Sequence, residues 1–147
     1  MNIIEKMQEI VSGCPFVTAF GNVLHIEYTD STPTNFGLTS LGDTLITEGV
    51  TGTVMHRQHS FMLYAAFSAI NDYERLANSG ILLNLSLWLE RQIGVEFEQL
   101  FGEETLTGEI TAIRTANGRL FDIPLGNGEL GVRYQLQITV EYDLEEE

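Results

Sequence analysis

The C-terminal part of the chain has the most regular alternation of apolar and polar residues. From position 132 to position 144 every second residue is apolar, and the residues between them are polar or charged. Because successive side chains of a β-strand point to opposite faces, this pattern predicts a long strand with one buried face. The other face, which carries Glu141 and Asp143, is expected to be wet, at the surface or along an aqueous lumen.

The beginning of the chain follows the helical period instead. Its apolar residues lie three or four positions apart, as on one face of a helix: Ile3, Ile4, Met7, Ile10 and Val11. Gly13 and Pro15 follow directly and supply stop signals. The pattern predicts a short amphipathic helix at the N-terminus.

A longer helix is predicted over residues 71–91, where Asn71 can cap the start and Gly94 can end it. The segment contains no proline and has two apolar stripes on nearly opposite sides. One stripe consists of Tyr73, Ala77, Ile81, Leu85 and Trp88, and can cover a sheet. The other consists of Leu76, Leu83 and Leu87, and needs its own partner. That partner is either the N-terminal helix of the same chain or a neighbouring subunit.

Extended segments are predicted at 23–28, 55–67, 95–100, 106–115 and 119–123. Both faces of 55–67 are fairly apolar, which indicates a central strand. The residues expected on one of its faces are His59, Phe61, Leu63, Ala65 and Phe67. Asn117-Gly118 has the composition of a two-residue hairpin turn between the last two segments. The apolar alternation shifts at Ile113, which indicates a bulge.

Residues 29–44 are rich in Thr, Ser, Pro, Asn and Gly, and we expect them to form a long loop. A loop of this length in a small domain is usually functional. Phe36 and Leu38 within it are expected to be exposed and to make docking contacts. The element order then predicts a single α+β domain over residues 1–147. Its two layers are a mostly antiparallel twisted sheet and a pair of helices, one long and one short.

The net charge of the chain limits the functions that it can have. Seven Lys and Arg face 21 Asp and Glu, for a formal net charge of −14. A surface of this charge repels a phosphate backbone, so sequence-independent DNA binding is not expected. The acidic residues 143–147 are interpreted as a solvated tail. The single cysteine, Cys14, is expected to be buried and suits a reducing compartment, and no signal peptide or membrane span is predicted.

Three patterns that could carry chemistry have plainer explanations. Residues 126–131 match the glycine pattern of dinucleotide-binding loops, but a strand is predicted after them where that site needs a helix. His56 and His59 fall on opposite faces of a strand, and His25 is distant, so no metal site is predicted. Glu103 and Glu104 belong to a turn. We therefore predict no catalytic, cofactor or metal-binding residues and no enzyme activity.

Three segments resemble small tail-completion proteins of long-tailed phages of Gram-positive bacteria. They are Asp30-Ser31-Thr32-Pro33-Thr34-Asn35-Phe36-Gly37-Leu38, Asn71-Asp72-Tyr73-Glu74-Arg75-Leu76-Ala77-Asn78, and residues 115–142. The resemblance implies a tail-terminator-like fold and a ring, usually of six subunits, that caps the tail tube and joins it to the head connector. It further implies a tail tube protein and a head-completion or stopper protein as partners. The expected location is the head-proximal end of the tail in the virion, after assembly in the host cytoplasm.

A ring of this kind would assign roles to particular residues. Phe36, Leu38, Leu76, Leu83 and Leu87 become interface residues. Glu141, Asp143 and Glu145 become lumen-facing or solvent-facing acids that repel DNA as it passes without being bound. A tail-like bacteriocin would use the same subunit.

Three alternatives remain open. A connector or stopper protein on the head side of the joint would share the size, acidity and ring symmetry. A small-molecule-modifying enzyme would have a closed pocket under the 29–44 loop that joins a carboxylate to His25, His56 or His59. An acidic inhibitory module would mimic the charge of DNA.

Overall fold

The computed structural model describes residues 1–15, 24–26, 36–48, 54–67, 71, 74, 80–124 and 130–146. Two helices and six strands have bounds within these ranges. The helices are α1 (Ile3–Ser12) and α2 (Ile81–Glu90). The strands are β1 (Leu24–Ile26), β2 (Phe36–Glu48), β3 (Val54–Phe67), β4 (Glu96–Phe101), β5 (Glu104–Pro124) and β6 (Leu130–Glu146).

The strands form one curled sheet in the order β1-β2-β3-β6-β5-β4. β1 runs parallel to β2, and every other neighbouring pair is antiparallel. Both helices bury apolar side chains in the same core as one face of the sheet, called the inner face below. The predicted α+β class with a mostly antiparallel sheet is confirmed.

Helix α1 forms where the apolar spacing predicts it. The Asn2 side chain accepts a hydrogen bond from the Glu5 backbone N–H, and the Glu5 side chain accepts one from the Asn2 N–H, which makes a capping box. Gly13 ends the helix, and its N–H donates to carbonyls of the last turn. All predicted stripe residues except Ile4 are buried, and Cys14 is buried directly after them.

The prediction of one continuous helix over 71–91 is wrong. Gly80 adopts φ 81°, a left-handed conformation that interrupts a helix, and α2 starts only after it. The two helices with described bounds are ten residues each, and Asn71 and Glu74 are also helical, so the pair of one long and one short helix stays a prediction. Proline-free composition was a poor guide here because a single glycine can break the helix as effectively.

The predicted loop over 29–44 is wrong from Phe36 onward, and residues 29–35 lie outside the described residues. Phe36–Glu48 is a strand that pairs along its length with β3. Leu38 is 1% exposed within the core, so it is not the exposed docking residue we expected. Pairing with the strongly apolar β3 outweighs the low strand propensity of its Thr, Ser and Gly residues.

Strands β3 and β6 agree with their predictions. β3 lies between β2 and β6, which confirms its central position. Its predicted face from His59 to Phe67 is buried, as are all seven apolar residues of the alternating pattern in β6. Residues 143–146 continue β6. All four pair with β5, and 143–145 also pair with β3, so the predicted free tail is wrong over these residues.

Strand β5 continues through Asn117-Gly118, so the predicted hairpin turn is wrong. Ala116 pairs with Gln137 and Arg119 with Gln135, which leaves two residues opposite Leu136. The dipeptide therefore occupies a bulge, because the long β6 offers pairing partners on both sides of it. The bulge predicted near Ile113 is confirmed by a register shift between Ile110 and Ala112.

The glycine-rich segment 126–131 lies mostly outside the described residues. Gly131 itself is in β6 and pairs with Ile123. A strand, not a helix, follows the segment, as predicted. Neither helix with described bounds is long and apolar enough to cross a membrane.

Candidate functional site

Polar side chains converge on Asp43 at the inner face, where β2, β3 and β6 meet. Its carboxylate accepts hydrogen bonds from Tyr142 Oη at 2.5 Å, Arg57 Nε at 2.5 Å and His59 Nδ1 at 2.8 Å. Ser40 Oγ lies 2.6 Å from His59 Nε2. We call these five residues the inner cluster. Since a carboxylate only accepts, His59 donates to Asp43 through Nδ1, and its Nε2 faces the Ser40 hydroxyl.

Strand register places these residues together. Arg57 is the cross-strand neighbour of Tyr142, and Asp43 that of His59. In a regular strand Ser40 and Asp43, three positions apart, would point to opposite faces. A register shift between Ser40 and Gly42 adds one residue, Leu41, and brings both side chains to the inner face. Gly42 has φ 142°, which favours glycine at this bulge.

Burial and hydrogen bonding act against each other on the Asp43 carboxyl. Burial works to raise its pKa, but the hydrogen bonds from Tyr142, His59 and Arg57 outweigh it and hold the pKa below its ordinary value. Burial, reinforced by the nearby Asp43 charge, raises the pKa of Tyr142 well above its ordinary value. The cluster thus contains an ionised carboxylate and a protonated phenol at neutral pH.

A cavity of about 460 Å³ opens beside the inner cluster, and we call it the inner cavity. Asp43, Arg57, His59 and Tyr142 contribute its polar end. Most of its remaining lining is apolar and comes from the start of α1 and from the strands: Ile3, Ile4, Met55, Phe101, Leu106 and Leu144. Its volume is within the range of small-molecule sites.

Ser40, His59 and Asp43 form a hydrogen-bonded series of hydroxyl, imidazole and carboxylate, the same groups as in a serine hydrolase triad. A closed pocket that joins a histidine to a carboxylate would favour an enzyme. The inner cavity joins His59 to Asp43 but is partly open to solvent, so it meets that condition only in part. Ser40, however, does not line that cavity. His25 lies in β1, and its side chain is outside the described residues.

The opposite face of the same strands carries a second set of charges. Nδ1 of His56 contacts the Asp143 carboxylate, and its Nε2 lies 3.8 Å from Glu141. Arg114 donates to Glu141 at 2.9 Å. We call these four residues the outer cluster. His56 and His59 point to opposite faces as predicted, and no metal-binding group of three or more His, Cys, Asp or Glu occurs within the described ranges.

The predicted acidic face is therefore present but not uniformly negative. Glu141, Asp143 and Glu145 alternate along β6 on the side away from the helices. Two of them have cationic or imidazole partners that sequence patterns could not assign, because those partners come from β3 and β5. Of these three acids, Glu145 is the one without an ion pair among the residues that the structure describes.

The predicted interface residues divide into three groups. Leu83 and Leu87 project from α2 and are 64% and 46% exposed. α1 does not cover them, so the intramolecular alternative fails for this pair. Leu76 and the Phe36 side chain are outside the described residues, and Leu38 belongs to the core.

Sequence reasoning missed the exposed apolar pair at the end of β4. Leu100 and Phe101 are 72% and 67% exposed, just before the turn at Gly102 and Glu103. The available signal was an apolar pair adjoining Gly-Glu-Glu, a composition typical of a hairpin tip. The alternation of apolar and polar residues places Leu100 in a strand, but it does not show that Leu100 and Phe101 lie outside the core.

No protein-family model matches the chain, and no curated protein sequence is significantly similar to it.

Proposed function

We propose that the protein is a tail terminator of a long-tailed phage or a phage-tail-like particle. Its subunits would close into a ring that caps the tail tube and joins it to the head connector. The observation that carries the proposal is the second face of α2. Leu82, Leu85 and Leu89 bury one side of this helix, yet Leu83 and Leu87 remain exposed on the other. A ring subunit needs such an additional apolar surface for its neighbour.

The charge distribution supports the same proposal. The face of β6 that carries Glu141, Asp143 and Glu145 is polar, and neither α1 nor α2 packs on it, as would suit the wall of an aqueous channel. With a net charge of −14, such a wall repels DNA that passes through without binding. A structure of the ring with a predominantly basic lumen would contradict this assignment.

The first experiment is light scattering across concentrations, followed by negative-stain imaging. We expect the wild-type chain to form a ring of about six subunits, the number implied by the resemblance. The double variant L83S/L87S removes the exposed leucines and should remain monomeric. L41S/L45S, which changes two exposed leucines of β2, is the matched control and should still form rings.

Partner binding distinguishes the tail side from the head side of the joint. A terminator binds the tail tube protein and stops its elongation, whereas a connector or stopper binds the portal complex. We expect the protein to cap tubes in vitro and to occur at the head-proximal end of tails in purified virions. Binding to portal complexes alone would favour the connector.

One specific observation favours a second function, an enzyme that acts on small molecules. The inner cavity places His59 and Asp43 against an apolar chamber of suitable size. We rank it second because every polar group of the site already has a partner within the chain. Tyr142 and Arg57 donate hydrogen bonds to Asp43, and both ring nitrogens of His59 have partners. Labelling by a fluorophosphonate probe that Ser40→Ala abolishes would support the enzyme; an unlabelled, folded wild-type protein would count against serine chemistry.

A further inference from the structure

The turn between β4 and β5 presents an apolar pair followed by two acids. We define the acidic tip as Leu100, Phe101, Gly102, Glu103 and Glu104. All five residues are exposed, and Gly102 takes φ 64°, which lets the chain turn tightly. Phe101 and Glu104 also border the inner cavity, yet most of the Phe101 surface stays in solvent. Two adjacent large apolar side chains at an exposed turn are a candidate contact surface.

Helix α2 carries a groove with the complementary character. We define the α2 groove by its lining residues Asn84, Leu87, Trp88 and Arg91, around a volume of about 300 Å³. Leu87 and Trp88 supply apolar surface, and Arg91 and Asn84 supply hydrogen-bond donors at its margin. This space can receive a single aromatic side chain.

The acidic tip and the α2 groove carry complementary charges. Among the described residues, Arg57, Arg114 and Lys6 are in ion pairs, whereas Arg91 has none. Glu103 and Glu104 likewise have no ion pair within those ranges. Two copies of a chain with net charge −14 repel each other, so a contact between them needs a local cation opposite local acids.

The tip and the groove are both exposed, so they do not cover each other within one chain. They are also different surfaces, and a contact between different surfaces of identical subunits propagates from copy to copy. Such head-to-tail contacts give a closed ring when the rotation between copies permits closure.

We propose that the acidic tip of one copy docks into the α2 groove of the next. Phe101 enters the apolar part of the groove, and Glu103 and Glu104 pair with Arg91 at its margin. This contact rests on the proposed ring and names the two surfaces that would build it. It also accounts for why Leu87, but not its neighbour Leu85, is left uncovered in the single chain.

Charge reversal tests the pairing by light scattering of the purified full chain. R91E alone and E103R/E104R alone should each weaken self-association at least about tenfold, because like charges then meet. The triple variant R91E/E103R/E104R should recover it. E96R/E98R makes the same change of charge at exposed positions of β4 outside the tip and should behave as wild type. Circular dichroism and melting curves establish that every variant is folded.

Mixing tests the head-to-tail direction. L100S/F101S lacks the tip and L87D lacks the groove, so each should be monomeric alone. Mixed, they retain one intact tip and one intact groove, and should form 1:1 dimers that grow no further. Larger assemblies in the mixture, or dimers of either variant alone, would overturn the tip-to-groove contact.

The outcomes separate this inference from the proposed function. Wild-type rings that survive charge reversal at the tip and groove overturn the docking and leave the terminator intact. Charge-rescued dimers or open chains without closed rings support the docking and count against the terminator. A wild-type chain that stays monomeric at every soluble concentration overturns the docking itself.

Discussion

The inner and outer clusters lie on opposite faces of the same strands and use similar residues, yet their surroundings differ. In the inner cluster one carboxylate, Asp43, receives three donors and sits against a His59 side chain that is almost fully buried. In the outer cluster two carboxylates share His56 and Arg114, and the Arg114 side chain is mostly exposed. The carboxylates themselves are similarly exposed, at 24% for the Asp43 side chain and 20% for that of Glu141, so the difference lies in the donors: His59 and Tyr142 are buried, whereas His56 and Arg114 are not.

This difference assigns separate tasks to the two faces. Removing a partner from a group shielded from water leaves an unsatisfied donor or charge, whereas an exposed ion pair contributes little to stability. We expect the inner cluster to fix the relative positions of β2, β3 and β6. The outer cluster is expected to set the charge of the polar face with little effect on folding.

The largest expected effect is that of Asp43→Ala. It leaves Tyr142, His59 and Arg57 without their common acceptor, and we expect a loss of about 2–3 kcal/mol in the free energy of unfolding. Asp143→Ala in the outer cluster is the matched control, with an expected loss below about 1 kcal/mol. Urea unfolding of both variants measures the difference. Equal losses would mean that burial does not distinguish the two faces.

Acid should weaken the inner cluster before any residue is changed. The pKa of Asp43 is lower in the folded chain than in the unfolded one, so its ionisation stabilises the fold above the unfolded pKa of about 3.9. That contribution is lost as pH falls through the folded pKa. We therefore expect the stability advantage of wild type over Asp43→Asn to be constant near neutral pH and to shrink as pH falls from about 5 through the unfolded pKa of about 3.9 towards the lower folded pKa. An advantage independent of pH would contradict an ionised Asp43.

Tyr142→Phe removes one donor to Asp43 and keeps the ring packed. The aromatic ring lies 5.9 Å from that of Phe97, a contact that the variant retains. We expect a loss of about 1 kcal/mol by urea unfolding, since the carboxylate keeps two other donors. The variant should also raise the pKa of Asp43, observable by NMR titration of its carboxyl carbon. An unchanged titration would show that the phenol does not stabilise the charge.

The smallest effect is expected for Arg114→Ser. Its ion pair with Glu141 is exposed and screened by salt, so the loss should be about 0.5 kcal/mol or less and should vanish at high ionic strength. Urea unfolding at increasing salt concentration measures this loss. A loss of stability as large as that of Asp43→Ala would mean that the outer cluster also holds the fold together.

Alternation made β3 and β6 predictable from sequence, because each has a buried face of apolar residues at every second position. The capped helix α1 was predictable for a similar reason. Strand β2 was not, because its Thr, Ser and Gly residues become a strand only by pairing with β3. Asn117-Gly118 gave the opposite error, a turn predicted within a strand. Its local preference for a turn is outweighed by the continuous pairing of β5 with β6.

The candidate site was less predictable than the fold. The sequence identified His59 and the exposed Leu83 and Leu87. It could not bring Asp43 to His59, because that meeting depends on a register shift in a segment predicted as a loop. Nor could it find that Tyr142 reaches the same carboxylate from a residue 99 positions away.

The bulge at Leu41 is one of two places, the other being Ile46, where β2 has one residue more than its pairing with β3 requires. Deleting Leu41 would restore simple alternation and still leave Ser40 and Asp43 on the inner face. Deleting one residue within β3, which has no such surplus, would turn every side chain beyond it to the wrong side. Related chains that differ in length by one residue should therefore show the gap in β2 near position 41 and none within β3.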